Sequence, residues 1–146
     1  MISVITFSGR FSTLAAATVR RPGSSLWASS LSSCMRDFTS PSDNSLNRHQ
    51  DRAGKGWAIT NKEHNEDMEL IKEIGANGIR LAHYPHSDFF YSLCDREGML
   101  VWAEIPLVGK ASPTPAFTEN IKLQLTELIR QNFNHPSIFC WSLFNE

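Results

Sequence analysis

The sequence predicts an α/β fold of parallel strands alternating with helices, and three observations carry that prediction. Short strand-like runs (Ile79 to His83, Met99 to Ile105, Ile138 to Leu143), the second of the continuous apolar kind, alternate with longer stretches of helical period. The connections suit parallel βαβ units rather than hairpins. Each candidate strand also ends in polar residues: His49 with Asp51, then His83, Glu104, and Asn145 with Glu146. Four polar ends in register suggest a common face built for chemistry, at the carboxyl ends of parallel strands.

Taken in order, Leu46 to Arg48 is a candidate first strand. Thr60-Asn61-Lys62-Glu63 reads as a capping box, and Met68, Ile71 and Ile74 share one face of the helix it opens, near 60–74. Gly75 closes that helix. The strand Ile79 to His83 halts at Tyr84-Pro85. Ser87 can cap a second helix near 88–97, with Phe89, Phe90, Leu93 and Cys94 inward and Gly98 at its end. After the strand Met99 to Ile105 and a Pro- and Gly-bearing loop, Thr118 is expected to open a third helix to about 132. Ile121, Leu125, Leu128 and Ile129 form its inward face. The apolar run into Asn145-Glu146 is the last strand. The result is four strands and three helices, in order β-α-β-α-β-α-β.

The 146 residues suit one ordinary domain, and a net charge of −1 gives no electrostatic case for nucleic acid or an anionic membrane. No apolar run approaches the ~20 residues of a spanning helix. Cys34, Cys94 and Cys140 share no metal-ligand spacing, so free thiols are expected, buried for Cys94 and Cys140. Residues 1–45 are serine-rich and aperiodic, with four arginines and two acids; they are expected to be disordered. An arginine-rich, acid-poor start superficially fits a transit peptide. An out-of-frame or misassigned gene start is the preferred explanation.

Single residues leave alternatives open. Glu146, after an apolar lead-in, is a candidate general acid/base whose pKa the pocket would raise, against a solvated terminus. Asn145 could contact a sugar hydroxyl or cap a following helix. His83 is on its own more readily a satisfied core histidine than a site residue, whereas His49, in the dense polar cluster Asn47-Arg48-His49-Gln50-Asp51, reads as either equally. Arg80, on a strand expected to face a core, needs a carboxylate, and Glu104 is the candidate partner. His64 is expected on a helix surface and His135 in a loop, both structural or solvated. There is no zinc-ligand spacing, glycine-rich phosphate loop or Gly-x-Ser-x-Gly elbow.

Together these motifs resemble glycoside hydrolase family 2, most closely its β-galactosidases. The matching stretches are Asn47 to Asp51, Gly54-Lys55-Gly56-Trp57, Gly75 to Pro85, Leu93-Cys94-Asp95, Val101 to Pro106, Asn134 to Ile138 and Trp141 to Glu146. The resemblance implies a partial (β/α)₈ TIM barrel: residues 46–146 would be the first half of the catalytic domain, behind a non-family segment over 1–45. It implies that Glu146 is the general acid/base and that Asn145 contacts the 2-hydroxyl. His49, His83 and Asp51 would bind substrate, and Arg80 would support the nucleophilic carboxylate. That nucleophile belongs to a seventh strand outside this sequence, so the isolated chain is expected to be inactive. The implied reaction is double-displacement hydrolysis of a terminal β-galactoside with retention. The implied partner is a small carbohydrate, with no nucleic acid or membrane, and oligomerisation of a longer parent stays open. No cofactor is expected: Ile105-Pro106-Leu107-Val108 lacks the acid and histidine that bind magnesium in some members. The alternatives are a non-catalytic sugar-binding or structural half-barrel remnant, or a β-glucuronidase or β-mannosidase relative.

Overall fold

A computed structural model describes residues 44–143. The expected disordered segment falls outside the described residues, apart from Asn44 and Ser45, and so do Cys34, Asn145 and Glu146. Four strands form one parallel sheet in sequence order: β1 (Ser45–Arg48), β2 (Gly78–Leu81), β3 (Leu100–Glu104) and β4 (Ile138–Ser142). Helices α1 (Asn61–Glu73), α2 (Asp88–Glu97) and α3 (Pro115–Asn132) connect them. Each βαβ unit adds the next strand on the same side, the progression of a (β/α)₈ barrel. The expected parallel pairing of β2 with β3 is present, with Arg80 opposite Trp102.

The helices start and stop for local reasons. At the head of α1 the Glu63 carboxylate accepts from the Thr60 backbone N–H (2.6 Å) and hydroxyl (3.0 Å). Gly75 ends it at φ 73°, a conformation that favours glycine. There the N–H groups of Gly75 and Ala76 return to the carbonyls of Lys72 and Ile71 (2.9 and 3.2 Å). α2 ends likewise at Gly98. α3 begins three residues before the expected Thr118. Pro115 supplies a preset φ, and the Thr114 hydroxyl accepts from the Phe117 N–H at 3.3 Å. Thr118 instead donates its hydroxyl to the Thr114 carbonyl.

The two faces of the sheet have different tasks. Leu46, Ile79, Leu81, Val101 and Ala103 pack against Met68, Ile71, Phe90, Leu93 and Cys94 in one core. Strand alternation places Asn47, Arg80, Trp102 and Cys140 in a lateral row on the opposite face, followed by Glu104 beside Ser142. Cys94 and Cys140 are buried free thiols, which burial pushes up to about 12 and about 11. The expected inward position of Ile74 is not found, because the side chain is 48% exposed. The buried stripe of α1 is instead His64, Asp67, Met68 and Ile71. Of the expected α3 face only Leu128 is fully buried; Ile121, Leu125 and Ile129 are partly covered. No helix among the described residues is long and apolar enough to cross a membrane.

Candidate active site

At the carboxyl ends of β2 and β3, a buried carboxylate organises the polar face. Glu104 is 1% exposed and accepts from Arg80 Nε (3.0 Å) and Nη2 (2.9 Å to one oxygen, 3.0 Å to the other). Its Oε1 also lies 2.7 Å from His83 Nδ1. A carboxylate accepts there, so that ring nitrogen carries the proton. The longer approach of Arg80 Nη2 to the same nitrogen, 3.4 Å, sets two donors side by side and is a contact rather than a hydrogen bond. The Arg80 guanidinium also lies 5.7 Å from the Trp102 ring centroid. Arg80 therefore has the partner expected of it, on the face away from the helix-packed core. Glu104 is fully engaged, which suits it to orienting Arg80 and His83 and not to attacking a substrate.

His49, immediately after β1, meets His83 edge to face with ring centroids 5.1 Å apart. Partial burial lowers its pKa, as do the nearby His83 and Arg80, whereas Asp51 and Glu104 oppose them. The rings continue outward. Tyr84 lies 6.2 Å from His49, and the 65%-exposed Trp57 lies 4.7 Å from Tyr84. The loop carrying Asp51 and Trp57 is braced by Lys55 on Glu63 and by Arg52 on Glu66 (2.6 Å) and Asp67 (3.1 Å). Asp51 is exposed on that loop. The structure thus brings His49, His83, Arg80 and Glu104 together with Asp51 beside them. The two residues expected to do the chemistry, Asn145 and Glu146, lie outside the described residues.

Beneath these histidines is a cluster that sequence reasoning missed. Arg48, 1% exposed, donates to Asp67 Oδ2 from Nη2 (2.7 Å) and Nε (3.2 Å). Its Nη1 reaches His86 Nδ1 at 2.9 Å, its Nη2 reaches His64 Nδ1 at 3.0 Å, and its guanidinium stacks 3.8 Å from the Phe90 centroid. Guanidinium only donates, so both imidazoles accept and are neutral. Burial lowers the pKa of each histidine, and the Arg48 charge adds to it; His86 is pushed down to about 3. His64 is therefore not on a helix surface as expected: it is 2% exposed and points inward to Arg48. The signal was present, since strand alternation puts Arg48 on the face of Leu46, toward the helices. His135 matches its structural expectation, with Nδ1 2.6 Å from Asp95 Oδ2 and its ring stacked on Tyr91.

Comparison with known proteins agrees with this architecture. Residues 44–146 match the family model for the TIM barrel domain of glycosyl hydrolases family 2. The chain belongs to that family. It is 51% identical over 106 residues to a β-glucuronidase of Bacteroides fragilis, a match covering 68% of this chain and 15% of that protein. A β-galactosidase of Alteromonas mediterranea is 35% identical over 108 residues, covering 69% of this chain and 10% of the relative. Among solved structures, the FMN-binding β-glucuronidase of Facaelibacterium prausnitzii L2-6 superposes with a TM-score of 0.67 at 48% identity. That match covers 68% of this chain and 16% of the other. The chain thus spans 10 to 16% of the length of these proteins.

Proposed function

We propose that residues 46–146 form the first half of the catalytic barrel of a retaining β-glycosidase, with Glu146 as general acid/base. The observation that carries this reading is the Arg80–Glu104–His83 triad beside His49. Its polar groups stand at the carboxyl ends of parallel strands, on the face away from the helix-packed core. In the sequence, Asn145 and Glu146 follow closely after Ser142, the last residue of β4. In this mechanism Glu146 protonates the departing glycosidic oxygen and later deprotonates the incoming water. The second carboxylate, ~5–5.5 Å away, forms the glycosyl-enzyme; a later strand supplies it, so it is not among these residues. His49, His83 and Asp51 bind the glycone, Asn145 its 2-hydroxyl, and Arg80 supports the nucleophile from its seat on Glu104. No step requires a metal or cofactor.

For the glycone, a β-glucuronide is the better supported reading, on the 51% identity to the Bacteroides fragilis β-glucuronidase. A β-galactoside, favoured by the resemblance of the motifs, is the second reading, supported by the 35% identity to the Alteromonas mediterranea enzyme. The test is a chimera in which residues 46–146 replace the matching stretch of the Bacteroides fragilis β-glucuronidase. Hydrolysis of aryl β-glucuronides well above aryl β-galactosides is expected. The reverse preference would select the second reading, and a folded chimera inert on both would refute the assignment.

A further inference from the structure

We propose that His86 is a positioning residue, an imidazole held by Arg48 that fixes the Ala82 carbonyl and thereby seats the His83 ring against Glu104. That His83 lines a sugar site rests on the function proposed above; the tether itself does not.

Atom roles are forced around the ring. Arg48 Nη1, 2.9 Å away, can only donate, so His86 Nδ1 accepts. The single ring proton is then on Nε2, which donates to the Ala82 carbonyl at 3.1 Å. Ala82 also shares its own N–H between the Arg48 carbonyl at 3.0 Å and the Arg80 carbonyl at 3.1 Å. Both backbone groups of the residue before His83 thus reach Arg48, one directly and one through His86. The far end of the same segment is fastened by Gln50. Its N–H donates to the Tyr84 hydroxyl (3.0 Å), and its side-chain oxygen accepts from the Ser87 N–H (2.9 Å). The tail of β1 therefore clamps residues 82–87 at both ends. A histidine beside a substrate needs such support, because small misplacements of a binding group are costly to rate.

Two conservative variants divide the two bonds of His86. His86→Gln keeps a donor near the Nε2 position, facing Ala82, whereas His86→Asn keeps an acceptor near the Nδ1 position, facing Arg48. The readout is the ring-proton position of each histidine in the 146-residue chain, from long-range ¹H–¹⁵N correlations near neutral pH. His135, whose Nδ1 is paired with Asp95, is the internal reference. The proton on His83 Nδ1 should persist in the wild type and His86→Gln. It should be lost in His86→Asn and His86→Ala, with His135 unchanged throughout. Retention of the His83 signature in His86→Asn and His86→Ala would overturn the proposal. So would its equal loss in His86→Gln, or simultaneous loss at His135 in both conservative variants. The measurement reads a ring proton and not turnover, so it stands apart from any failure of the glycosidase assignment.

Discussion

Lowering the pH from 7.5 to 5.0 should destabilise this fold through the histidines on Arg48. In the folded chain His86 accepts from a guanidinium and its pKa is pushed down to about 3, first by burial and then by the Arg48 charge. His64 is lowered for the same reasons. Arg48 faces both rings as a positive charge, His49 and His64 are the other titratable groups facing His86, and Arg52, Asp67 and Glu63 face His64. In the unfolded chain a histidine takes up its proton near pH 6.5. The folded state therefore excludes a proton that the unfolded state binds. Stability from this source is complete above pH ~6.5 and is lost as pH falls through the window from there to about 3. The slope is about 1.4 kcal/mol per pH unit for a histidine that stays neutral across that window, as His86 does. Over pH 7.5 to 5.0 one such group accounts for about 2 kcal/mol, and any folded value below ~4 gives the same figure. Stopping at pH 5 keeps Glu63, held at about 2 chiefly by Lys55, from contributing. Urea unfolding of the wild type and His86→Asn at both pH values isolates the group, because asparagine does not titrate. The variant should lose about 2 kcal/mol less than the wild type across the interval. An equal loss in both proteins would refute the neutral, Arg48-bound state of His86.

Two further outcomes follow from the polar face. Glu104→Leu should cost about 1–3 kcal/mol in urea unfolding, because it removes the buried carboxylate that accepts from the partly buried Arg80. Glu104→Gln should cost less, since its remaining carbonyl oxygen still accepts. The isolated 146-residue chain should show no measurable hydrolysis of aryl β-glycosides, because double displacement needs a second carboxylate and Glu104 is committed to Arg80 and His83; turnover abolished by Glu146→Gln would contradict this.

Much of this fold was legible because β3 and β4 are short, mainly apolar runs and its first two helices carry local stop signals at Gly75 and Gly98. The Arg80–Glu104 pair was legible for a simple reason: a guanidinium on a core-facing strand demands a carboxylate. The expected start of α3 was late because Thr118 and Thr114 are equally good caps by type. Proline at N1 decides between them, and the loop context hid it. The Arg48 cluster escaped because its members are polar at positions where helical period counts only apolar residues. His64 and Asp67 occupy the buried stripe of α1 as fully as Met68 does, yet score as surface. His86 lies in a loop, where no period exists, and only the fold shows that it faces Arg48. The galactoside preference inferred from motifs concerns contacts that a shared barrel scaffold does not specify.

The most direct test of the central claim is the leaving-group dependence of Glu146→Ala in the chimera with the Bacteroides fragilis β-glucuronidase. An acid/base residue is needed to expel a poor leaving group and not one that departs unprotonated. The variant should lose ~10²–10⁴-fold more activity on unactivated glycosides than on activated aryl glycosides, the usual contribution of proton transfer. Added azide should restore the second step by attacking the glycosyl-enzyme without a general base. Equal losses on both substrate types, with no response to azide, would mean that Glu146 is not the acid/base.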